Sequence, residues 1–591
     1  MCYYEGKSSC KEECCVFEPV WKMGEIRNQV AVIDGLVAPT IVLQNARYLH
    51  SVFRDWRFGN IWIAGDRIVY VGAEMPKNIT NTEIVDVAGK TIVPGYIEPH
   101  VHPHQLYNPI SFAKYAMKTG TSVMLCDNLV LFLSLSNKKA FSILDSWKKL
   151  PTQFYWWVRF DSQSQLEHES DVFSMEAVLE WIERPDVLMG GELTGWPQLM
   201  AGDDQMLYWI QAAKLKGKKI EAHLPGASEK TLAKMRLFGA NGDHEAMTVD
   251  EVEARINQGY AVTLRHSSIR PDLPNLLKGI VERQWNIFHH LMMTTDGSTS
   301  TFYEDGIMDK CIRVALEAGV SPVDAYNMAS YNVAKYYGVS NIHGMVGTGR
   351  FATLNILEDE FHPTPQAVMA KGQWMYRDGE EVYEWPETDM AQLGQLNIDF
   401  ALTEEDFQFS MPFGIELVDN VITKPYSVNL HLNKGSVVQN ENECYLMLLD
   451  KYGHWRVNTF IKGFVGNVEG FASSYSTTGD IILIGKDIQA MKQAFERLKQ
   501  LNGGIVLIEK GEVVHEIPLT VAGCMYDGTM EQLIKAERTL IHVLEQRGFS
   551  KGDPVYSLLF LQSTHLPYIR ITPKGLYDVM KKKILMPAIM R

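Results

Sequence analysis

The chain has 591 residues, and its 56 basic and 71 acidic side chains give a formal net charge of −15. Hydrophobic residues make up 46 % and charged residues 21 %, which is typical of a water-soluble folded protein of several domains. The acidic balance argues against nucleic acid or an anionic membrane as the main partner, and no uncharged apolar run is long enough to cross a bilayer.

The first 27 residues are expected to form an N-terminal tail. Four of the eight cysteines lie in the first 15 residues, which lack the apolar core of a secretory signal: Cys2, Cys10, Cys14 and Cys15. Eight cysteines in a chain of this length are too few for a disulfide framework. A reducing, cytoplasmic compartment is therefore predicted.

Residues 28–93 are expected to form short strands joined by turns. Apolar residues alternate through residues 61–72 on both sides of the Gly65-Asp66 dipeptide, which is a typical hairpin turn. This segment therefore predicts a small β-domain that begins before the main part of the chain.

The next segment alternates apolar, strand-like runs with stretches of helical spacing. Eight strand-like runs follow one another, at residues 96–102, 120–127, 154–160, 187–193, 219–224, 240–245, 261–266 and 287–296. Eight strand–helix alternations are the pattern of an α/β fold of the (β/α)8, or TIM-type, barrel class. The barrel is predicted over residues 94–340.

Two further regions follow the barrel. Residues 341–387 return to a strand-like pattern and are assigned to the β-domain, whereas the acidic stretch 388–405 is expected to be a linker. Residues 400–591 are predicted to form a C-terminal α+β domain. Strands are expected at 481–484 and 505–508, with a helix at 488–501.

Histidines and carboxylates stand at the ends of the predicted barrel strands, where barrel enzymes carry their functional residues. The first run ends in His100-Val101-His102, and residues two apart on a strand point to the same side. Each side chain alone has an ordinary structural role, but their joint position predicts a centre for two divalent ions with a bridging carboxylate. The metal-ligand candidates are His100, His102, Glu192, His223, His244 and Asp296.

Residues next to these candidates are the expected substrate contacts. Glu245 either holds a substrate ring nitrogen or orients His244. Arg265 and Ser267 stand at the end of the seventh strand and could contact substrate, with loop packing and helix capping as the alternative.

Three other histidines and the aromatic run at 155–157 are expected to have structural roles. His104 is disfavoured as a ligand because Pro103 breaks the strand. His289 and His290 are expected to be buried inside the eighth strand, and residues 155–157 to pack between the barrel and its helices.

Several motifs identify a resemblance to a known family. PGYIEPHVH at 94–102 resembles the amidohydrolase signature PG-x-x-D-x-H-x-H. EAHLPG at 221–226, DHE at 243–245 and TD at 295–296 are similar to the G-H-A-P-G, S-D-H-E and T-D-D segments of the adenine deaminase family. Segments of the last domain resemble that family's C-terminal domain, at residues 472–474, 503–504 and 518–523.

This resemblance implies a fold and an activity. The barrel would be flanked by a small β-sandwich built from residues 28–93 and 341–387. The centre would hold divalent metal, expected as two ions of manganese or iron with zinc as an alternative. The reaction would be hydrolysis of adenine to hypoxanthine and ammonia, and the partner a small purine-like molecule; a homo-oligomer is left open.

Three departures from the family pattern concern the substrate more than the metal. PHQL at 103–106 replaces a typical I-E-S-S, DNLV at 127–130 replaces D-P-H-E, and TTGD at 477–480 replaces H-D-S-H. An amidohydrolase acting on another amino-heterocycle or a cyclic amide therefore remains an alternative. A non-catalytic scaffold is the weaker alternative, because it would have no physical reason to keep all six ligand candidates.

The expected mechanism assigns a role to each carboxylate. One ion would lie on His100, His102 and Asp296 and a second on His223 and His244. Glu192 would bridge the two ions, and Asp296 would take a proton from water and pass it to the leaving ammonia. Glu192, Asp296 and Glu245 are thus the catalytic candidates.

Overall fold

The computed structural model describes residues 22–409, 412–428 and 442–591, together with the backbone of 432–433 and 436–437. Most of the predicted N-terminal tail, including its four cysteines, lies outside the described residues. A helix spans Met23–Ile33, across the predicted end of the tail at residue 27, and buries Val32. No helix in the described ranges is long and apolar enough to cross a membrane.

One nine-stranded sheet forms the β-domain beside the barrel. The expected hairpin is present, with strands Asp55–Ala64 and Arg67–Gly72 on either side of Gly65. Thr91–Pro94 pairs antiparallel with Leu354–Leu357, which joins chain from before and after the barrel. The other strands are Ile41–His50, Glu83–Asp86, Ala367–Ala370, Gln373–Arg377 and Glu380–Glu381.

Eight parallel strands form the barrel, and each pairs with its neighbour in chain order. They are Tyr96–Val101, Thr121–Asp127, Gln153–Val158, Val187–Leu193, Lys219–Ala222, Gly242–Asp243, Ala261–Arg265 and Leu291–Thr294. The first strand meets the eighth through buried Glu98, whose carboxylate accepts hydrogen bonds from the Thr294 hydroxyl at 2.5 Å and the Thr295 amide at 2.9 Å. The predicted (β/α)8 fold is confirmed.

Helices surround the barrel, and all but the short helix Glu169–Val172 bury apolar side chains. They span Pro109–Lys118, Leu129–Ser134, Asn137–Trp147, Glu169–Val172, Met175–Glu183, Trp196–Met200, Asp204–Leu215, Glu229–Phe238, Val249–Asn257, Leu273–Glu282, Met308–Glu317, Pro322–Met328 and Tyr331–Tyr336. Side chains cap many of them; Asn108, for example, accepts from the amides of Ile110 and Ser111.

Two expectations about the barrel strands are wrong. The eighth strand is only Leu291–Thr294, and a 3-10 turn at Phe288–His290 precedes it and leaves His289 and His290 exposed. Of residues 155–157, Trp156 packs outward, against Trp147. Trp157 lies in the barrel interior and stacks on His100 with ring centroids 4.5 Å apart, because alternate strand residues point to opposite faces.

The C-terminal domain mixes sheet and helix, as predicted. Its main sheet contains Phe413–Leu417, Thr423–Ser427, Glu443–Leu449, Trp455–Lys462, Gly470–Ser473, Ile481–Gly485, Gly504–Glu509, Glu512–Pro518 and Ile589–Met590. Smaller sheets comprise Leu432–Asn433 with Ser436–Val437, and Ile569–Thr572 with Gly575–Asp578 and Lys583–Pro587. The helices are Ile488–Gln500, Met530–Glu545 and Pro554–Phe560.

The segment predicted as a linker is packed rather than extended into solvent. It contains the 3-10 turns Met390–Leu393 and Glu404–Phe407, and Leu396 and Ile398 are buried in the core of the C-terminal domain. The polar composition misled the prediction, since its few apolar side chains are the ones that pack inward.

Buried contacts join the C-terminal domain to the mouth of the barrel. Met525–Tyr526 pairs in parallel with Leu106–Tyr107. In the loop after the eighth strand, the Thr299 hydroxyl donates to Asp553 at 2.7 Å and the Thr301 amide donates to Glu537 at 3.2 Å. These contacts hold the loop that follows Asp296.

The free energy of unfolding is predicted to depend on pH, because buried Glu537 lies near a second carboxylate, that of Asp553. Burial and the neighbouring Asp553 carboxylate raise the pKa of Glu537 from 4.5 to about 8. Because the folded state binds more protons than the unfolded state in this window, stability is fully present below about pH 4.5 and falls as pH rises toward 8, by at most about 1.4 kcal/mol per pH unit.

Glu537→Gln is expected to flatten this dependence and to raise the unfolding midpoint at pH 8, whereas exposed Glu545→Gln on the same helix should change neither. Denaturant unfolding at pH 5, 6.5 and 8 measures both effects. Parallel pH profiles for Glu537→Gln and the wild-type protein would contradict the assignment.

Candidate metal centre

The structure brings all six ligand candidates to one end of the barrel. His100 lies in the first strand and Glu192 in the fourth, three histidines directly follow strands, and Asp296 stands two residues after the eighth strand. Gly191 precedes Glu192 with φ of +111°, and a Cβ there would lie 2.4 Å from the Glu221 carbonyl oxygen. Only glycine therefore allows this backbone to aim the Glu192 carboxylate inward.

Glu192 stands between two groups of side chains. Its Oε2 lies 3.7 Å from His102 Nε2 and 3.9 Å from His100 Nε2. Its Oε1 lies 2.5 Å from His223 Nδ1 and 3.4 Å from His244 Nε2. Asp296 belongs with the first group, because its Oδ1 is 3.0 Å from His102 Nε2.

Two buried carboxylates orient the histidines. His102 Nδ1 lies 2.8 Å from Asp127 Oδ2, and His244 Nδ1 lies 3.3 Å from Glu221 Oε1. In both histidines the opposite nitrogen, Nε2, therefore faces Glu192. A carboxylate behind the imidazole is the arrangement that fixes the ring of metal-ligating histidines.

Fully buried Arg159 supports the same centre and was not among the sequence candidates. Its guanidinium donates to both carboxylate oxygens of Asp127, at 3.0 and 2.7 Å, and lies 3.0 Å from Glu192 Oε2. It follows the third strand, so its position at a strand end was a signal that sequence analysis could have used. Arginine is not a metal ligand, which is why a search for ligands missed it.

Arg265 links the predicted acid–base groups. Its Nη1 lies 2.5 Å from Glu245 Oε1 and its Nη2 lies 2.9 Å from Asp296 Oδ2. Arg270 also pairs with Glu245. The Ser267 hydroxyl is fully buried and accepts from Arg265 Nε at 2.9 Å, so this geometry supports a role in holding Arg265 rather than direct contact with substrate.

Charged neighbours favour the ionised form of three carboxylates at the centre, those of Glu192, Asp296 and Glu245. Burial opposes ionisation, yet His223 and Arg159 hold the pKa of Glu192 well below its usual range. Arg265 and His102 do the same for the pKa of Asp296. His223, Arg265 and Arg270 likewise lower the pKa of Glu245 to about 2 despite its burial. Negative charge is thus concentrated where the ligand candidates converge.

The residues present fit a metal ion. Buried ring nitrogens at the centre have no hydrogen-bond partner among the described residues, namely Nδ1 and Nε2 of His100 and Nε2 of His244. Such atoms are costly to bury unless something else binds them. These residues belong to four overlapping groups of three histidine or carboxylate side chains. Within each group, the candidate ligand atoms lie within 4.8 Å of one another.

A cavity of about 450 Å³ opens beside the centre, a usual size for a small-molecule site. The barrel and the C-terminal domain both line it, with His102, His104, Asp127, Leu129, Val130, Tyr475, Thr478 and Ser563 among its walls. His104 itself packs against Met525, with Nδ1 3.4 Å from the sulfur, and belongs to none of the four groups.

Comparison with known proteins identifies the family of the chain. The profile of the amidohydrolase family matches residues 91–375, and that of the adenine deaminase C-terminal domain matches residues 420–583. A Halalkalibacterium halodurans protein named "Putative adenine deaminase BH0637" is 50 % identical over 97 % of this chain and 99 % of its own length. The chain belongs to the adenine deaminase family of amidohydrolases.

Further relatives extend over a similar share of the chain. "Putative adenine deaminase YerA" of Bacillus subtilis is 48 % identical over 97 % of this chain and 99 % of its own. "Adenine deaminase" of Bacillus velezensis is 28 % identical over 91 % of this chain and 95 % of its own. As a member of this metal-dependent family, the protein is a hydrolase that acts on carbon–nitrogen bonds.

Proposed function

We propose that this amidohydrolase converts adenine and water to hypoxanthine and ammonia. The observation that carries the proposal is the position of Glu192, whose two carboxylate oxygens face His100 and His102 on one side and His223 and His244 on the other. Family membership supplies the substrate class, and this geometry supports a centre for two ions.

The proposed ligands for one divalent ion are His100, His102 and Asp296, and for a second His223 and His244, with Glu192 shared. Manganese or iron is proposed and zinc is the alternative, since histidine and carboxylate suit all three. When bound, such ions activate water near neutral pH and stabilise developing negative charge.

Asp296 is the proposed proton carrier. Its carboxylate is ionised and can accept a proton from the attacking water and return it to the leaving amine. Arg265 holds Asp296 from the side opposite His102, so the carboxylate keeps one orientation during the transfer. Glu245, held by Arg265 and Arg270, is proposed to face the substrate ring.

A different amino-heterocycle is the second candidate substrate. Leu129 and Val130 line the cavity at the positions where the related segment of the family is polar. An apolar wall favours a ring with fewer hydrogen-bonding edges or with an apolar substituent.

Ammonia release tests the proposal directly. Protein purified without oxygen and reconstituted with manganese is expected to release ammonia from adenine faster than from guanine, cytosine, pterins or hydantoins. Asp296→Asn should lower this rate by about 100-fold or more, because general acid–base groups contribute about 10²–10⁴-fold. Exposed Asp250→Asn is the control. Turnover of another ring with no activity on adenine would replace the substrate and keep the hydrolase.

A cytoplasmic location is also proposed. Four cysteines in the described part of the chain are free thiols: Cys126, Cys311, Cys444 and Cys524. Free buried thiols are usual in a reducing compartment.

A further inference from the structure

The C-terminal domain places a histidine against the proposed metal centre. The His565 ring lies 5.2 Å from the His223 ring, measured between centroids, and nearly perpendicular to it. His565 Nδ1 is buried and has no hydrogen-bond partner among the described residues. Buried polar atoms are normally paired, so an unpaired nitrogen at this position requires a ligand or a function.

The loop that carries His565 is fixed from the barrel. The Thr564 amide donates to the Gln163 carbonyl oxygen at 2.9 Å, and the Ser164 hydroxyl donates to the Gln562 carbonyl oxygen at 2.9 Å. Both contacts lie in the segment after the third barrel strand. The barrel therefore sets the distance between this loop and its own ligand candidates.

The C-terminal domain fixes the same loop from the other side. The Gln562 amide group exchanges hydrogen bonds with Thr478, at 3.1 and 2.9 Å. Fully buried Arg570 donates to the carbonyl oxygens of Phe560 at 3.0 Å and Pro567 at 3.1 Å, before and after His565. A loop held at so many points positions its histidine within a narrow range, as functional groups require.

We propose that His565 is a substrate-contacting residue that the C-terminal domain contributes to the barrel. His565 is not in any of the four groups of ligand atoms within 4.8 Å, which separates it from the metal ligands. Imidazole can donate one hydrogen bond and accept another, and an amino-heterocycle offers ring-nitrogen acceptors and an amino donor. The C-terminal domain is then part of the active site rather than an accessory. This inference rests on the proposed amidohydrolase function.

Three variants test the role of His565. His565→Ala removes the imidazole, His565→Asn keeps a donor and an acceptor in a smaller side chain, and exposed His542→Asn in the same domain is the control. Each manganese-loaded protein is assayed for kcat and KM with adenine, for metal content, and for calorimetric binding of hypoxanthine.

We expect His565→Ala to lower kcat/KM by about 10- to 100-fold and to weaken hypoxanthine binding, with metal content unchanged. His565→Asn should recover part of the loss, and His542→Asn should match the wild-type protein. Rescue by asparagine would separate substrate contact from a packing defect.

Two results would overturn the proposal. Wild-type kcat/KM and hypoxanthine binding in His565→Ala would show that the ring does not touch the substrate. Loss of one metal ion per chain in both His565 variants would make His565 a ligand instead. Failure of the proposed function looks different, because the wild-type protein itself would then neither hydrolyse adenine nor bind hypoxanthine. If it hydrolyses another ring, the variants are compared on that compound.

Discussion

Glu192→Gln is expected to abolish both metal binding and hydrolysis. The change removes the negative charge that faces four histidines and that lies 3.0 Å from Arg159 Nη2. Altering a residue that only orients a ligand costs about 10–100-fold in metal affinity or activity. Loss of Glu192, the proposed shared ligand, should therefore lower the activity by more than about 100-fold.

Metal content and thermal unfolding check this result together. The wild-type protein should retain about two ions per chain after dialysis, and added manganese should raise its unfolding midpoint, since a ligand that binds the folded state stabilises it. Glu192→Gln should show neither effect. Exposed Glu176→Gln, from the helix Met175–Glu183, should behave as the wild-type protein. Two retained ions with full activity in Glu192→Gln would exclude the bridging role.

Arg255→Ala is expected to be the most destabilising change near the centre. Arg255 and Asp243 are both fully buried and form an ion pair. Arg255 also donates to the Leu224 carbonyl oxygen at 2.7 Å, while Asp243 accepts from the amides of Leu224 at 2.9 Å and Glu245 at 3.0 Å. Removing one partner of a buried pair costs about 3–5 kcal/mol, because the other charge stays buried without compensation.

This pair also holds the backbone beside the ligand candidates. Leu224 follows His223, and Asp243 and Glu245 enclose His244 in the chain. Denaturant unfolding should therefore show the loss of stability, and metal content should fall with it. Asp250→Ala breaks the exposed pair with Arg283 and should cost less than about 1 kcal/mol. Equal costs for the buried and exposed variants would contradict the argument.

The sequence alone determined the fold class and the positions of the ligand candidates. Apolar periodicity is a local property, so the eight strands are visible in chain order. Because parallel barrel strands end at the same face, His102, Glu192 and Asp296 could be placed together without coordinates. Family motifs supplied the reaction class and the metal dependence.

The sequence did not predict the limits of individual elements correctly where the average composition of a segment differs from the packing of its side chains. The stretch containing His289 and His290 was predicted to be part of the eighth strand, but it forms a 3-10 turn that precedes this strand. The acidic stretch around Leu396 was predicted to be a linker because its average polarity is high, whereas its few apolar residues pack into the core of the C-terminal domain. Average composition does not say which side chains point inward.

Only the tertiary structure decided which groups surround the ligands. Arg159 reaches Asp127 and Glu192 from another strand, and no spacing rule relates the three. His565 reaches His223 from a different domain, more than half the length of the chain away in sequence. Such contacts depend on how distant segments pack, and packing is a property of the whole folded chain rather than of any local pattern.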